Sequence, residues 1–159
     1  MEIKNINIKV QSTTDTSELE QSVQTLIGKA QEAAKRAYAP YSNFQVGACL
    51  LLDNGEMIEG NNQENASYPC GSCAERTALH YANSRFPNSI VKAIAISAYN
   101  QNGLLDEPIT PCGMCRQALL EAEVRSEKSM RVILNGKNRT YILDKATDLL
   151  PLSFDNSKL

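Results

Sequence analysis

The chain has 159 residues and a formal net charge of −2, with 42% hydrophobic and 21% charged residues. This size and composition favour one folded domain over residues 1–159 and argue against a disordered chain or a coiled coil. The apolar runs fall short of the about 20 residues that a membrane-spanning helix needs, and no general basic charge favours nucleic acid or anionic lipid. We therefore expect a cytoplasmic protein with a small-molecule or protein partner.

The first third of the chain is predicted to contain one strand and one long helix. Apolar and polar residues alternate within 3–10, which predicts a short strand. Ser17, in the polar turn that follows, is a candidate helix cap. From Leu19 to Ala37 the apolar residues recur at helical spacing, and Pro40 is expected to end that helix.

The rest of the chain alternates strands with helices. The predicted strands are 44–52, 56–61, 91–98, 130–135 and 140–143, and the predicted helices are 73–84 and 113–124. Asp53-Asn54-Gly55 is a strong turn signal between the first two of these strands. This order predicts an α/β domain with a mixed sheet covered by helices.

The cysteines suggest a metal site. There are five, an odd number, and four of them form two C-x-x-C pairs; they are Cys49, Cys70, Cys73, Cys112 and Cys115. This pattern does not resemble a secreted disulfide framework, and the N-terminus lacks the unbroken apolar core of a signal peptide, so we expect reduced thiols. Cys49 lies within an apolar run and is expected to be a small core residue.

Cys73 and the Cys112/Cys115 pair each stand where a loop enters a predicted helix. The partial positive charge of a helix N-terminus favours a thiolate, which is the form that binds Zn²⁺. Three thiolates leave the fourth tetrahedral position open, as in catalytic zinc sites. A closed site with Cys70 as fourth ligand, or a thioredoxin-like redox pair, are the alternatives.

Glu75 suggests a catalytic role for the open fourth position of the zinc site. It lies two residues after Cys73, where a carboxyl can reach a water molecule beside the metal and move protons without binding the metal itself. Taken alone, it would be a solvated acid at a helix start. Arg76 and Arg116 are expected to hydrogen-bond the sulfurs and offset the charge of three thiolates, and His80 is expected to be structural.

These residues resemble the cytidine deaminase family, whose signature joins a metal ligand and Glu, two residues apart, to Pro-Cys-x-x-Cys. The matching residues are Cys73-Ala74-Glu75 and Pro111-Cys112-Gly113-Met114-Cys115. The segments 38–48, 62–68 and 149–154 are also similar to segments of that family. The match runs over residues 19–154, and residues 1–18 form an N-terminal extension of unknown role.

The resemblance implies a three-layer α/β/α sandwich around a mixed five-stranded sheet, and a homotetramer with its sites at subunit interfaces. It implies one Zn²⁺ per subunit and the hydrolysis of cytidine and deoxycytidine to uridine and deoxyuridine, in pyrimidine salvage. Cys73, Cys112 and Cys115 match the zinc ligands, and Glu75 matches the proton shuttle.

The resemblance also implies a set of substrate-binding residues. They are Phe44 beside the base, Asn62 and Glu64 at the ribose 3′-hydroxyl, Ala74 at the pyrimidine through its backbone, Tyr68 near the subunit interface, and Phe154, which closes a neighbouring subunit's site. A carboxylate at the sugar would repel a phosphate and so modestly favours a nucleoside over a nucleotide. Without the resemblance, Asn62 and Glu64 would be interpreted as residues of a solvated loop.

Three other functions compete with this interpretation. A deaminase of a cytosine-bearing antibiotic such as blasticidin S would share the fold, but Phe44, Phe154 and the Asn62/Glu64 pair favour the ordinary nucleoside. A nucleic-acid editor needs a basic groove and stacking aromatics, whereas this chain is acidic, lacks Trp and is 6% aromatic. A non-catalytic Cys₄ zinc module would require Cys70 in place of water.

Overall fold

The computed structural model describes residues 1–159, apart from the side chain of residue 158. Its α-helices are α1 (Gln21–Lys35), α2 (Ala74–Arg85) and α3 (Gly113–Ser126). Its strands are β1 (Gln11–Thr13), β2 (Gln45–Leu52), β3 (Met57–Asn61), β4 (Val91–Asn100), β5 (Gly103–Leu104), β6 (Arg131–Asn135) and β7 (Thr140–Leu143).

The strands form one mixed sheet in the order β1-β7-β6-β4-β2-β3, with β5 paired to β4. β4 and β6 are parallel, and the other pairs are antiparallel. The predicted mixed sheet is confirmed, but the predicted number of five strands is wrong, since the described chain forms seven. The two additional strands, β1 and β5, have three residues and two residues, too few for an alternating pattern to reveal them.

The helices cover both faces of this sheet. On β4, Ile94 and Ile96 belong to a core shared with α2 and α3, whereas Ala93 and Ala95 belong to a second core shared with α1. Because successive strand residues point to opposite faces, α1 lies on one side and the other two helices on the other. The three-layer α/β/α architecture is confirmed. No helix in the described part of the chain is long and apolar enough to cross a membrane.

The predicted strand over 3–10 is wrong. Pairing starts only at β1, which runs antiparallel to β7 with Gln11 opposite Ile142. Since β7 ends at Leu143, the chain before Gln11 has almost no strand to pair with, and its apolar residues stay exposed. Alternation alone cannot produce a strand without a partner for its backbone.

The helix near the N-terminus begins and ends slightly inside its predicted limits. Ser17 does not cap it; its N–H donates to the side chain of Asp15 at 2.8 Å in a short turn that precedes α1. The helix ends at Lys35, with Arg36 as C-cap, five residues before Pro40. The other predicted elements after residue 40 agree with the observed boundaries to within two residues.

Two glycines allow the helices to lie close to the sheet. A Cβ atom at Gly60 in β3 would be 2.5 Å from the Ala78 nitrogen and 2.6 Å from the Ala74 oxygen of α2. A Cβ at Gly47 in β2 would overlap the backbone of α1 in the same way. The missing side chain at position 60 therefore sets the distance between the sheet and the first turn of α2, which follows Cys73.

We predict that Gly60→Ala lowers the free energy of unfolding by about 2 kcal/mol or more, because α2 must move away from β3. Urea unfolding measures the change. The matched control is Gly28→Ala within α1, where a Cβ atom meets open space and alanine favours the helix by up to about 1 kcal/mol. Equal effects of the two substitutions would contradict the close packing at Gly60.

Glu59 in β3 joins the sheet to α1 through two ion pairs. Its carboxylate lies 3.0 Å from Lys29 Nζ and 2.5 Å from Arg36 Nη2. Partial burial alone would raise the pKa of Glu59, but the hydrogen bonds from these two cations lower it below its usual value of 4.5. The ion pairs therefore contribute stability above that pH and lose it as the carboxylate becomes protonated.

Glu59→Gln is expected to lower the free energy of unfolding at pH 7 by about 1 kcal/mol. The difference from the wild type should shrink as the pH falls below 4.5 and the wild-type carboxylate is protonated. Chemical unfolding at a series of pH values tests this, with Glu56→Gln in the preceding turn as the exposed control. A difference that stays constant with pH would show that the ion pairs do not contribute.

Candidate active site and metal centre

The site is built where two helices begin. Cys73 is the N-cap residue of α2 and Cys112 is the N-cap residue of α3, and neither side chain caps its own helix. Their carbonyl groups accept the first helical hydrogen bonds, from Thr77 at 3.0 Å and from Arg116 at 2.9 Å. Both sulfurs thus stand beside the positive end of a helix, which stabilises a thiolate.

The predicted metal ligands meet at this point. The sulfurs of Cys73, Cys112 and Cys115 all lie within 4.8 Å of one another, and Cys73 Sγ is 3.9 Å from Cys112 Sγ. Tetrahedral Zn–S bonds of about 2.3 Å place two sulfurs about 3.8 Å apart, so the cluster fits zinc. Within the part of the chain that the structure describes, Cys70 is exposed and does not belong to this cluster of three sulfurs.

The pKa values of Cys73 and Cys115 are shifted in opposite directions. Hydrogen bonding from Cys115, with smaller contributions from Arg76 and Cys112, lowers the pKa of Cys73 to about 5. The same bond to Cys73, together with burial, raises the pKa of Cys115. The thiolate is the form that binds a metal ion, and a bound cation would displace the remaining thiol protons.

Arg76 lies beside the sulfur of Cys73. Its charge favours the thiolate of Cys73, and the interaction raises the pKa of the guanidinium despite the opposing effect of partial burial. Its Nη2 donates to the Gly71 carbonyl at 3.5 Å, while its Nε is buried without a hydrogen-bond partner among the described residues. A cation at this point offsets the charge of three thiolates.

Glu75 lies in the first turn of α2 and is only 4% exposed. Burial raises the pKa of its carboxyl, and the negative charge of Cys73 adds to this. Its side chain lines the same cavity as Cys73 and Cys112. The carboxyl is therefore beside the metal cluster but outside the group of three ligands.

A cavity of about 800 Å³ opens above the cluster. Its lining includes five of the six predicted substrate-binding residues, namely Phe44, Asn62, Glu64, Tyr68 and Ala74. This volume is in the range of small-molecule sites. The sixth, Phe154, is 61% exposed and stands outside the lining of its own chain's cavity.

Asn62 holds the cavity wall in place. Its Oδ1 accepts from the Val46 N–H at 2.7 Å, and its Nδ2 donates to the Phe44 carbonyl at 2.9 Å. One amide hydrogen and one lone pair of the side chain remain for another partner. The residue is thus fixed by the chain itself and still able to bind.

Glu64 is fixed in a similar way. Its carboxylate accepts from the N–H groups of Tyr41 at 2.9 Å and Ser42 at 3.3 Å, and from the Ser42 hydroxyl. These bonds, of which the Ser42 hydroxyl contributes most, lower the pKa of Glu64. Sequence reasoning missed the part played by Ser42, although it lies within the 38–48 segment that carries the family resemblance.

Arg116 differs from its prediction. In the described structure its recorded hydrogen bonds go to oxygen atoms rather than to sulfur. Nε donates to the Pro111 carbonyl at 2.8 Å, Nη1 to the Leu149 carbonyl at 2.9 Å and Nη2 to the Thr110 hydroxyl at 3.0 Å. Its position next to Cys115 in the sequence suggested a hydrogen bond to the sulfurs, but its side chain extends toward the preceding loop.

Comparison with known proteins identifies cytidine deaminases as relatives of this chain. A family model for the cytidine and deoxycytidylate deaminase zinc-binding region matches residues 20–130. The cytidine deaminase of Halalkalibacterium halodurans is 49% identical over 98 residues, which cover 62% of this chain and 70% of the relative. That of Sporosarcina psychrophila is 37% identical over 137 residues, covering 86% of this chain and 94% of the relative.

Solved structures agree with the sequence relatives. The crystal structure of cytidine deaminase from Burkholderia pseudomallei has a TM-score of 0.71 and 39% identity, and the match covers 82% of this chain and 98% of that one. The enzyme from Mycobacterium tuberculosis has a TM-score of 0.67 and 32% identity, with 86% and 99% covered. The family model alone spans more than half of the chain.

Proposed function

The chain belongs to the cytidine deaminase family, and we propose that it hydrolyses cytidine to uridine and ammonia in the cavity above Cys73, Cys112 and Cys115. The observation that carries this is the three-sulfur cluster with a buried carboxyl beside it, at a cavity large enough for a small-molecule substrate. The chain is a zinc-dependent enzyme of this family.

The three cysteines hold the zinc ion. Bound there, zinc supplies Lewis-acid chemistry that brings the pKa of a water molecule toward neutrality. Arg76, next to the sulfurs, partly neutralises the negative charge of the thiolates and so preserves that effect.

Glu75 serves as the proton carrier. It accepts a proton from the attacking water and delivers it to N3 of the cytosine ring, which makes C4 more electrophilic. The water oxygen then bonds to C4. Glu75 carries the second proton to the amino group, the C4–N4 bond breaks, and ammonia leaves. The carboxyl returns to its starting state, and one water is consumed for each ammonia released.

Asn62 and Glu64 bind the sugar. Each is fixed by hydrogen bonds to the 41–46 loop and keeps free hydrogen-bonding capacity beside the cavity. We place the ribose 3′-hydroxyl against this pair, with Phe44 beside the base and the Ala74 backbone at the pyrimidine. Ribose and 2′-deoxyribose both carry a 3′-hydroxyl, so deoxycytidine is also a substrate. The negative charge of Glu64 repels a 5′-phosphorylated substrate.

The decisive variant is Glu75→Gln, which keeps the size of the side chain but cannot carry a proton. We expect kcat for cytidine to fall by about 10²- to 10⁴-fold while zinc content stays at the wild-type level. Loss of the cytidine absorbance band measures turnover, and metal analysis measures zinc. Glu121→Gln, at an exposed position of α3, is the matched control and should retain full activity.

Zinc-loaded wild-type protein that leaves cytidine unchanged would overturn the assignment. Wild-type turnover by the Glu75→Gln variant would instead remove Glu75 from the proton-carrying role. Turnover of cytidine 5′-monophosphate as fast as cytidine would contradict the role given to Glu64.

We further propose that four copies of the chain assemble, with each site at a subunit interface. Exposed aromatic side chains line the cavity: Tyr68 is 77% exposed, and Tyr41, which is 51% exposed, packs edge-on against it with ring centroids 6.3 Å apart. Phe154, outside that lining, is 61% exposed. A cluster of exposed aromatics of this kind is typical of an interaction surface. Phe154 then closes the site of a neighbouring copy.

Sedimentation velocity should show a tetramer for the wild type and smaller species for Tyr68→Asp, because a charge would be buried at the interface. Ile8→Asp, at an exposed apolar position of the N-terminal segment, is the control and should leave the assembly intact. A monomeric wild type at micromolar concentration would contradict this proposal.

We place the enzyme in pyrimidine salvage in the cytoplasm, with residues 1–159 acting as one domain. A free nucleoside substrate and a metal held by reduced thiols support this setting, since thiolates persist in a reducing compartment.

A further inference from the structure

The chain that follows β7 is attached along α3. Residues Ala146–Leu149 form a short 3₁₀ helix. The carboxyl of Glu123 on α3 accepts from the N–H groups of Ala146 and Thr147, both at 2.8 Å, and from that of Met130 at 2.6 Å. Glu123 is 7% exposed. A buried carboxyl with three backbone donors fixes the start of this C-terminal segment (146–154).

Arg116 provides the second attachment. One nitrogen of its guanidinium donates to the Leu149 carbonyl at 2.9 Å, while the other two donate to Pro111 and Thr110 in the loop that enters α3. Pro111 directly precedes Cys112. A single planar side chain therefore joins the C-terminal segment to the loop that carries a metal ligand.

Gln117 provides the third attachment. Its Nε2 donates to the Phe154 carbonyl at 3.0 Å. Between the second and third attachments, Leu152 has a φ of 57° and is 86% exposed. A leucine in the left-handed region persists only where the surrounding contacts fix the chain on both sides of it.

We propose that Gln117 is a positioning residue that fixes Phe154 relative to the metal-binding end of α3. Arg116 fixes the same C-terminal segment at Leu149. This inference rests on the proposed role of Phe154 in closing a substrate site. Gln117 acts through the backbone of Phe154 and does not touch substrate. Its loss should weaken substrate binding and leave the chemical step and the metal unchanged.

The test compares Gln117→Glu with Gln24→Glu. Both remove an amide donor and add a negative charge without changing the size of the side chain. Gln24 Nε2 also donates to a backbone carbonyl, that of Leu19 at 2.7 Å, but it lies on α1 on the opposite face of the sheet. Gln117→Ala, which adds no charge, separates the lost donor from electrostatic repulsion.

We expect both Gln117 variants to raise KM for cytidine about fivefold, with kcat and zinc content within twofold of the wild type. Backbone NMR order parameters of residues 152–154 should fall, because the Phe154 carbonyl loses its donor, whereas Gln24→Glu should match the wild type in all four measurements. In a Phe154→Ala background, adding Gln117→Ala should produce no further rise in KM, because the two residues act in series.

The inference would be overturned by a wild-type KM in both Gln117 variants, by unchanged order parameters in 152–154, or by additive effects in the double variant. A wild-type KM for Phe154→Ala would also overturn it, while cytidine deamination would stand. Failure of the proposed function is a separate result, since it appears as wild-type protein without turnover, and NMR order parameters are measured without substrate.

Discussion

The close approach of two helix N-termini is the constraint on which the rest of the structure depends. Cys73 and Cys112 are the N-cap residues of different helices, yet their sulfurs lie 3.9 Å apart. This requires α2 and α3 to lie on the same face of the sheet, with their N-termini at the same end of the strands. The glycine at position 60 lets α2 approach the sheet, and the parallel β4–α3–β6 crossover places the second helix beside it.

The polar side chains around the cavity both stabilise the cavity wall and face its interior. Asn62 and Glu64 hold the 41–46 loop and still face the cavity with unused hydrogen-bonding capacity. Because the protein already fixes these side chains, little conformational entropy remains to be lost when a substrate binds. Arg76 likewise balances charge at the metal cluster while its Nη2 reaches the Gly71 carbonyl. The same few residues thus stabilise the fold and line the cavity.

The features that the sequence predicts well are local or have short motifs. The helices that start after Cys73 and Cys112 follow from apolar periodicity, and the clustering of the three cysteines follows from metal chemistry and the family resemblance. The features that it misses depend on distant partners. β1 exists because β7 offers an unpaired edge, Arg116 binds Leu149 rather than sulfur, and Ser42 is important only because Glu64 folds back onto it. No pattern within a single segment carries such information.

β1 has a consequence for handling the protein in solution. Its three residues cover part of the outer edge of β7, which would otherwise present free N–H and C=O groups next to Tyr141 and Ile142. Exposed edges of this kind template intermolecular sheets and fibrils. An expression product trimmed to begin at residue 14 would keep every residue of the metal centre but would lose this cover, so its shelf life in concentrated solution would be shorter.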